Sequence, residues 1–403
     1  MDILFLGCLF KKNEEHLLLL KSKTGLQSQA NAYQWALING LDNQLKKPIS
    51  IINVIPVGTY PNYFTDIILK KNKWNHKNNA SDLEIGSINL PLIKQIMRAV
   101  FCKYAVKDWI KHNNDNELCV LLYSTYLPFL YAIKNLPNNI KIILIVTDLP
   151  KYYDLTSSIG VYMRYLRKIY NVFVYSFLKR VDGFVCITQN INEQLNVNNK
   201  PYVVIEGIVD PDTAMSYVDN IQQSKVNIVL YTGTLNYKFG IMNLIYGFMS
   251  ILEPGYELWI CGAGEAEDDI KNYSNYDKRI KFWGYVSKSK IYDLQRKSTI
   301  LINPRANDED YTKYSFPSKT LEYMLSGRPV LMYKLDGVPD EYDQYLYYID
   351  GKDPKDIADA IIKVCEKSKN ELDTFGKMAK NFVLINKNSN IQAKKLIRMI
   401  NSI

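Results

Sequence analysis

The feature that most constrains the fold is an alternation of short, wholly apolar runs with longer stretches of helical character. Continuous rather than alternating hydrophobicity indicates strands buried on both faces, hence parallel sheets covered by helices. Two series of runs follow one another, so the sequence predicts an α/β chain with two doubly wound, Rossmann-like domains. The runs are Ile3–Leu6, Ile49–Val54, Cys119–Tyr123, Ile140–Val146 and Gly183–Ile187, then Asn227–Tyr231, Tyr256–Cys261, Ile280–Trp283, Thr299–Asn303 and Pro329–Tyr333.

A polar stretch separates the two series and indicates the domain boundary. It contains Glu206-Gly207 and Asp210-Pro211-Asp212 and runs on to Ser224-Lys225. We therefore predict an N-terminal domain over 1–205 and a C-terminal domain over 206–385. A length of 403 residues fits two domains of ordinary size.

The positive charge lies in one half of the chain. Residues 1–205 carry 24 Lys+Arg against 14 Asp+Glu, whereas residues 206–403 carry 26 against 27. The whole excess behind the net charge of +9 therefore belongs to the N-terminal half. Such an asymmetry indicates an acidic partner, either a membrane surface, an anionic substrate or nucleic acid. A solvated lysine-rich surface is the alternative, and nucleic acid is not expected because no recognised binding motif accompanies the charge.

Several classes of protein are excluded at this stage. With 47% apolar and 23% charged residues the composition is that of a globular protein, and no apolar run reaches the ~18 residues of a membrane span. The six cysteines form no C-x-x-C pair and the three histidines are scattered, so no metal site is predicted. The acidic start, Met1-Asp2, is unlike a signal peptide, and we expect a cytoplasmic protein.

The densest motif runs from Asn303 to Val330, directly after a predicted strand. A helix is predicted to start at 316–319 and to end at Ser326-Gly327-Arg328-Pro329, where Gly327 suits a left-handed cap. Free N–H groups at the helix start, its positive dipole end and Lys319 together predict an anion site. Glu322, one turn further, is placed to accept hydrogen bonds from a sugar diol such as ribose. The motif thus predicts a nucleoside diphosphate, and the alternative is a capped helix with a surface Lys319–Glu322 pair.

The string from Phe316 to Val330, F-P-S-K-x-x-E-Y-x-x-x-G-x-P-V, resembles the donor-site signature of GT-B-fold glycosyltransferases. It is most similar to the bacterial capsular, exopolysaccharide and lipopolysaccharide branch of glycosyltransferase family 4. The family signature is Glu-x7-Glu, and Glu322 matches its second acid, whereas Tyr314 stands at the first. In the family that first acid contacts the donor sugar near the reacting carbon. Either the Tyr314 hydroxyl or one of the acids at 308–310 would replace it here.

The resemblance covers the whole second half and implies further donor-binding positions. Tyr231-Thr232-Gly233-Thr234 is similar to the first strand-loop of the nucleotide domain, where Thr234 replaces an arginine whose charge Arg305 would restore. For Trp283 and Tyr285, which would flank the base, core packing is the alternative. The implied donor-binding residues are Gly25, Gly233, Thr234, Lys238, Gly262, Gly264, Tyr285, Arg305, Phe316, Pro317, Ser318, Lys319 and Glu322.

In the N-terminal half the resemblance is weaker. Gly25 lies in a small-residue loop before a predicted helix, Ala32–Leu41, and would face the donor diphosphate. Asp148 follows a strand and would activate or bind the acceptor, although a turn aspartate before Pro150 is the alternative. Residues 161–180 form a basic amphipathic helix with Arg164, Arg167, Lys168 and Lys179 on one face. It is a candidate contact with an anionic membrane, or a surface helix that packs its apolar side on the sheet.

The resemblance implies a retaining, metal-independent glycosyltransferase whose two domains face a central cleft, with helix 386–403 crossing back to the first domain. Asp148 and Tyr314 would be its catalytic residues. The donor would be a nucleoside-diphosphate sugar, UDP favoured over GDP, with no further cofactor. A lipid-linked or free saccharide would be the acceptor, in surface polysaccharide synthesis at the inner face of the membrane. The alternatives are a GT-B-fold sugar-nucleotide epimerase and a catalytically weak partner subunit.

Overall fold

The chain folds into two α/β units built on parallel sheets, in agreement with the predicted fold class. A computed structural model describes residues 1–11, 13–113, 117–149, 161–195, 199–210, 226–308 and 310–403, without the side chains of 161–169. Unit 1 comprises Met1–Glu206 and Ser389–Ile403, and unit 2 comprises Gly207–Asn388. Within these described parts, no helix combines the length and apolar character that a membrane crossing requires.

Unit 1 is built on an eight-stranded sheet of order β10-β9-β8-β7-β1-β2-β5-β4. All neighbours are parallel except β4 and β5, and β3 and β6 form a separate antiparallel pair. The strands are β1 Asp2–Gly7, β2 Ser50–Asn53, β3 Ile68–Leu69, β4 Asn72–Trp74, β5 Asp82–Glu84, β6 Ser87–Ile88, β7 Leu118–Tyr123, β8 Lys141–Val146, β9 Gly183–Cys186 and β10 Tyr202–Val204. The helices of the unit are Glu15–Lys21, Ser28–Gln44, Ile93–His112, Leu127–Ile133, Val161–Leu178, Gln189–Leu195 and Ser389–Asn401.

The last helix, Ser389–Asn401, belongs to unit 1 and packs against the helix Ser28–Gln44. Gly40 allows this close approach, because a Cβ there would overlap the carbonyl oxygen of Ser389. The final helix therefore completes the core of the unit that the first 206 residues begin.

Unit 2 is built on a six-stranded, wholly parallel sheet of order β13-β12-β11-β14-β15-β16. This is the doubly wound order, in which the order of successive strands reverses beside the first strand, β11. The strands are β11 Asn227–Thr232, β12 Tyr256–Cys261, β13 Ile280–Gly284, β14 Ile300–Asn303, β15 Val330–Met332 and β16 Tyr347–Tyr348. The helices are Ile241–Met249, Glu267–Tyr276, Lys288–Lys297, Lys319–Leu325, Pro354–Cys365 and Lys369–Asn386.

Every strand predicted from an apolar run is present, with each end within one residue of the prediction. The strands that the sequence did not reveal are β3–β6, β10 and β16, each of two or three residues. Such short segments contain too few side chains to show a period.

A buried Asp–His–Asp cluster joins three segments of unit 1. The His76 ring lies 2.9 Å from Asp42 and 2.8 Å from Asp82. The same carboxylates accept hydrogen bonds from the backbone N–H groups of Ile49 and Ile51. Burial alone would lower the pKa of His76, but the hydrogen bonds and charges of the two aspartates raise it to about 9. The cluster therefore holds the start of β2 between the helix Ser28–Gln44 and β5 as a charged triad.

This cluster predicts a pH dependence of stability. A histidine whose pKa is higher folded than unfolded stabilises the fold fully below pH ~6.5, and that stabilisation is lost as the pH rises through about 9. We expect the free energy of unfolding, measured by urea denaturation, to fall across this window in the wild type. His76→Gln should lose about 3 kcal/mol at neutral pH and flatten the profile. The control His112→Gln, at an exposed histidine, should change neither the stability nor its pH profile. A pH profile of His76→Gln that matches the wild type would contradict the role of His76 in this pH dependence.

Candidate functional site

The donor-binding residues predicted in the second half of the chain follow the strands of unit 2, at the carboxyl edge of its sheet. β11 pairs with β14 on one side and with β12 on the other, so the strand order reverses beside β11. Ligands of open parallel sheets bind at this switch point. Four connections meet this edge: the loop after β11, the loop after β12, the segment after β14 and the short helix Lys319–Leu325.

Tyr323 attaches this short helix, which we call the motif helix, to the end of β11. Its hydroxyl accepts a hydrogen bond from the Thr232 N–H at 2.8 Å and donates one to the Thr232 carbonyl at 3.0 Å. The side chain is fully buried, and burial raises the pKa of the phenol well above its usual value, so it stays neutral. The hydroxyl therefore satisfies two backbone groups at the point where β11 ends.

Lys319, the first residue of the motif helix, points its ammonium group at the turn after β11. Its Nζ donates to Tyr231 Oη at 3.0 Å and lies 4.4 Å from the centre of that ring. Gly233 has φ +146°, and a Cβ there would overlap the Lys319 ammonium. Burial lowers the pKa of Lys319 to about 8, the charge of Glu322 raises it and that of Arg305 lowers it. The positive φ favours glycine at this turn, and the Lys319 ammonium occupies the space that a side chain would need.

Glu322 lies one turn along the motif helix and is held by a residue that the sequence did not reveal. The buried side-chain amide of Gln295 donates to Glu322 Oε1 at 3.0 Å. Burial raises the pKa of Glu322, while Gln295 and the charges of Lys319 and Lys288 lower it. Gln295 lies on the helix Lys288–Lys297, outside any motif. In the sequence, only its place beside the apolar Leu294 could have indicated that it is buried.

The alternative of a surface Lys319–Glu322 pair is not what the structure shows. The ammonium takes the Tyr231 hydroxyl as its partner and the carboxylate takes the Gln295 amide. Both groups are held within the sheet edge rather than extended into solvent, and one oxygen of Glu322 remains for a further partner.

Arg305 brings a second cation to the same edge. Its Nη2 donates to Ser315 Oγ at 2.8 Å, and the guanidinium lies 4.7 Å from the centre of the Tyr311 ring. Burial lowers the pKa of Arg305, and its charge in turn lowers the pKa of Lys319. The Nε atom is buried with no hydrogen-bond partner. Two half-buried cations, one of which lowers the pKa of the other, indicate a place for an anion.

The glycines after β11 and β12 allow the two loops to pack closely against each other. The Gly233 N–H donates to the Cys261 carbonyl at 2.9 Å, so it is already used. Gly262, with φ +146°, lies against the Gly233 carbonyl, and a Cβ there would overlap that oxygen. The remaining loop residues predicted to bind the donor, Thr234, Lys238 and Gly264, are exposed at the same edge.

The side chain of Phe316, predicted to bind the donor, is buried and packs 5.6 Å from Tyr342, so its ring belongs to the core. The motif helix has seven residues, and the Thr320 N–H bonds to the Pro317 carbonyl, so this N–H group is not free for an anion. Ser318, the N-cap residue, is exposed and makes no side-chain cap.

Tyr285 and Tyr314 lie outside the core. Tyr285 is 81% exposed after β13, which excludes core packing for it. Tyr314 ends a short 3-10 turn, Thr312–Tyr314, and is half-buried. Of the nearby acids, Asp308 and Asp310 are exposed, Asp310 pairs with Lys313 at 3.1 Å, and 309 lies outside the described residues.

The two site residues predicted for unit 1 follow their expected elements. Gly25 has φ +76° and lies exposed before the helix Ser28–Gln44, with no atom near its missing side chain. Asp148 follows β8 and is exposed. Partial desolvation of its carboxyl group raises its pKa, and a hydrogen bond from Thr147 lowers it. Pro150 lies outside the described residues.

The basic helix predicted over 161–180 is present as Val161–Leu178. The side chains of Arg164, Arg167 and Lys168 lie outside the described residues. Val172 and Phe173, predicted on the apolar side, are exposed rather than packed on the sheet. As for metals, His, Cys, Asp and Glu side chains form no ligand-like group of three in the parts of the chain that the structure describes.

The hydrogen bonds of the Tyr323 hydroxyl predict that removing this group lowers the stability of the protein. Tyr323→Phe leaves the buried N–H and carbonyl of Thr232 without their partner, and we expect about 2 kcal/mol less stability by urea denaturation. The matched control, Tyr276→Phe at an exposed tyrosine, should change stability by less than about 0.5 kcal/mol. Equal stability of both variants would show that the hydroxyl does not hold the motif helix.

Comparison with known proteins finds one family model and several solved structures that are similar to this chain. Residues 226–367 match the family model described as glycosyl transferases group 1. No curated protein matches the chain. Among solved structures, a sucrose-phosphate synthase from Thermosynechococcus elongatus has TM-score 0.68 and 14% identity, with 100% of both chains covered.

Two further solved structures share the fold over the whole chain. The lipopolysaccharide outer core galactosyltransferase WaaB in its apo form has TM-score 0.62 and 15% identity, covering 100% of this chain and 99% of that one. Anabaena HepE in complex with UDP has TM-score 0.62 and 11% identity, with 100% of both chains covered. The chain therefore has the GT-B fold of these structures, and its residues 226–367 are similar to the glycosyl transferases group 1 family model.

Proposed function

We propose that the chain is a retaining, metal-independent glycosyltransferase that moves a sugar from a nucleoside diphosphate to a saccharide acceptor. The observation that supports it most is the convergence of Lys319, Arg305 and Glu322 at the carboxyl edge of the unit 2 sheet. In this proposal unit 2 binds the donor and unit 1 binds the acceptor.

Lys319 and Arg305 are proposed to bind the diphosphate. Both cations are partly desolvated, and their hydrogen bonds go to the neutral hydroxyls of Tyr231 and Ser315. An incoming diphosphate would supply the negative charge that offsets their mutual repulsion. As the bond from sugar to diphosphate breaks, charge grows on the leaving oxygen, and fixed cations stabilise that charge without rearranging. This is the work that a divalent ion would otherwise do.

Glu322 is proposed to position the ribose rather than to move protons. Gln295 fixes one carboxylate oxygen, which leaves the other to accept hydrogen bonds from a vicinal diol. The exposed Tyr285, after β13, would lie against the base. UDP is favoured over GDP as the nucleotide; among the similar structures, HepE was solved in complex with UDP.

The residues nearest to bond making are proposed to be Tyr314 and Asp148. Tyr314 would hydrogen-bond the donor sugar in place of the family acid, and Asp148 would orient the acceptor hydroxyl. A raised pKa makes Asp148 a better proton acceptor than an ordinary aspartate. The replacement of that acid by Tyr314 also favours one second candidate, a nucleotide-binding partner subunit without turnover.

The acceptor is proposed to be a saccharide carried on a lipid phosphate at the inner face of a membrane. Residues 1–205 carry the whole positive excess of the chain, which suits an anionic acceptor or surface. The helix Val161–Leu178 is one candidate for membrane contact, since its Val172 and Phe173 are exposed.

Donor binding is tested by thermal shift and calorimetry with UDP-, GDP- and ADP-sugars. We expect a UDP-sugar to stabilise the wild type, and Glu322→Ala to bind it at least ~10-fold more weakly through loss of the ribose contact. The matched control Glu267→Ala changes a surface glutamate of unit 2 that pairs with Lys271, and it should bind like the wild type. A nucleotide shift that survives Glu322→Ala unchanged would sink the ribose assignment. Binding without any sugar transfer would favour the partner subunit.

Lys319 gives donor binding a pH dependence. Its pKa of about 8 means that the cation is present below pH 8 and is lost above it. The affinity for a UDP-sugar, whose diphosphate does not titrate in this range, should therefore be nearly constant at pH 6–7 and fall toward pH 9. Lys319→Arg keeps the charge at high pH and should flatten this fall, with affinity lower overall because the larger guanidinium does not fit beside Gly233. Calorimetric titrations at each pH measure both. Parallel pH profiles for the two proteins would show that Lys319 does not contact the diphosphate.

A further inference from the structure

The helix Ile93–His112 of unit 1 has an unusual burial pattern. Its buried face contains two basic residues, Lys94 and Arg98, which are only 4% and 3% exposed. Lys94 Nζ donates to the Val57 carbonyl at 2.6 Å, and Arg98 Nη2 donates to the Ile55 carbonyl at 2.8 Å. These bonds from buried charges to the chain after β2 fix the rotation of the helix about its axis.

The opposite face of the helix is apolar for three turns and basic for the last two. Its residues follow one another at spacings of three or four, which places them in one stripe along the helix. Ile96 and Tyr104 are 64% and 66% exposed, so the apolar part of the stripe contacts solvent. The stripe consists of Ile93, Ile96, Val100, Tyr104, Lys107 and Lys111.

Neighbouring elements extend the apolar part. Leu92, which precedes the helix, has φ +62° and is 77% exposed, a left-handed conformation that is costly for leucine. Ile68 and Ile88 lie directly opposite each other in the β3–β6 pair and are both exposed. The Ile88 N–H contacts Met97 Sδ at 3.4 Å, which places this pair against the helix. We call the set Leu92, Ile93, Ile96, Val100, Tyr104, Ile68 and Ile88 the apolar face.

We propose that the apolar face docks unit 1 on an anionic lipid bilayer. An exposed apolar surface of this extent, edged by cations, is typical of an interaction site. Side chains of the apolar face would enter the boundary between head groups and acyl chains, while Lys103, Lys107 and Lys111 meet the lipid phosphates.

Charge decides between a bilayer and a second copy of this chain. Pairing two apolar faces would bring together two copies of unit 1, each of which carries the positive excess of residues 1–205. Like charges across an interface oppose association, whereas anionic lipid attracts them. The lipid surface is therefore the occupant that matches both the apolar and the basic parts.

This proposal concerns unit 1 alone and does not depend on sugar transfer. Vesicles without any glycan acceptor or nucleotide test it, so its failure would leave the proposed glycosyltransferase activity standing. It also differs from a contact through Val161–Leu178, because the residues to be changed lie on another helix.

The test is co-sedimentation of the full chain with vesicles of phosphatidylglycerol and phosphatidylcholine, against phosphatidylcholine alone. We expect binding to the anionic vesicles that weakens at 1 M salt, since screening reduces the lysine contribution. Ile96→Ser/Val100→Ser/Tyr104→Ser should weaken it at least ~10-fold, and Lys103→Gln/Lys107→Gln/Lys111→Gln by a similar factor. The matched control Leu252→Ser/Tyr276→Ser removes equally exposed apolar groups from unit 2 and should bind like the wild type.

Thermal unfolding of each variant checks that it remains folded. If the apolar variant does not fold, the lysine variant still tests the proposal. Wild-type protein that stays in the supernatant with anionic vesicles would overturn the proposal. Vesicle binding that survives both changes but is lost in Arg164→Gln/Arg167→Gln/Lys168→Gln would move the contact to the other helix and overturn it too. So would a concentration-dependent dimer that the apolar variant abolishes.

Discussion

The half-buried ammonium group of Lys319 is the constraint on which the candidate site depends. It lies against the end of β11, where Tyr231 accepts its hydrogen bond and Gly233 leaves the space that it fills. Tyr323, on the same short helix, bonds to the Thr232 N–H and carbonyl and so keeps the cation in place. A positive charge held in this way at a strand end, beside Arg305, suits an anionic ligand better than it suits the stability of the unit alone.

Most of the fold was predictable because parallel strands are buried on both faces and so read as continuous apolar runs. The runs at Ile140–Val146 and Tyr256–Cys261 illustrate this, since each corresponds to a central strand. The β3–β6 pair and β16 were not predictable, because two residues show no period. The His76 cluster was not predictable either, since its partners Asp42 and Asp82 come together only in the folded unit.

The candidate site was predictable where spacing in one segment sets the geometry. Lys319 and Glu322 share a helix, so their relation follows from the chain itself. Gln295 donates a hydrogen bond to Glu322 from another helix, and the Phe316 ring packs against Tyr342. Both contacts are set by tertiary packing, so the sequence could not predict them. The same limit applies to Ile93–His112, where periodicity shows two faces but the bonds of Lys94 and Arg98 decide which one is buried.

The central claim is that unit 2 binds a nucleoside diphosphate through Lys319 and Glu322. A crystal structure of the chain with UDP tests it most directly. The account predicts phosphate oxygens within hydrogen-bond distance of Lys319 Nζ and both ribose hydroxyls on the Glu322 carboxylate. UDP bound away from the carboxyl edge of β11 and β14, or ribose out of reach of Glu322, would contradict it.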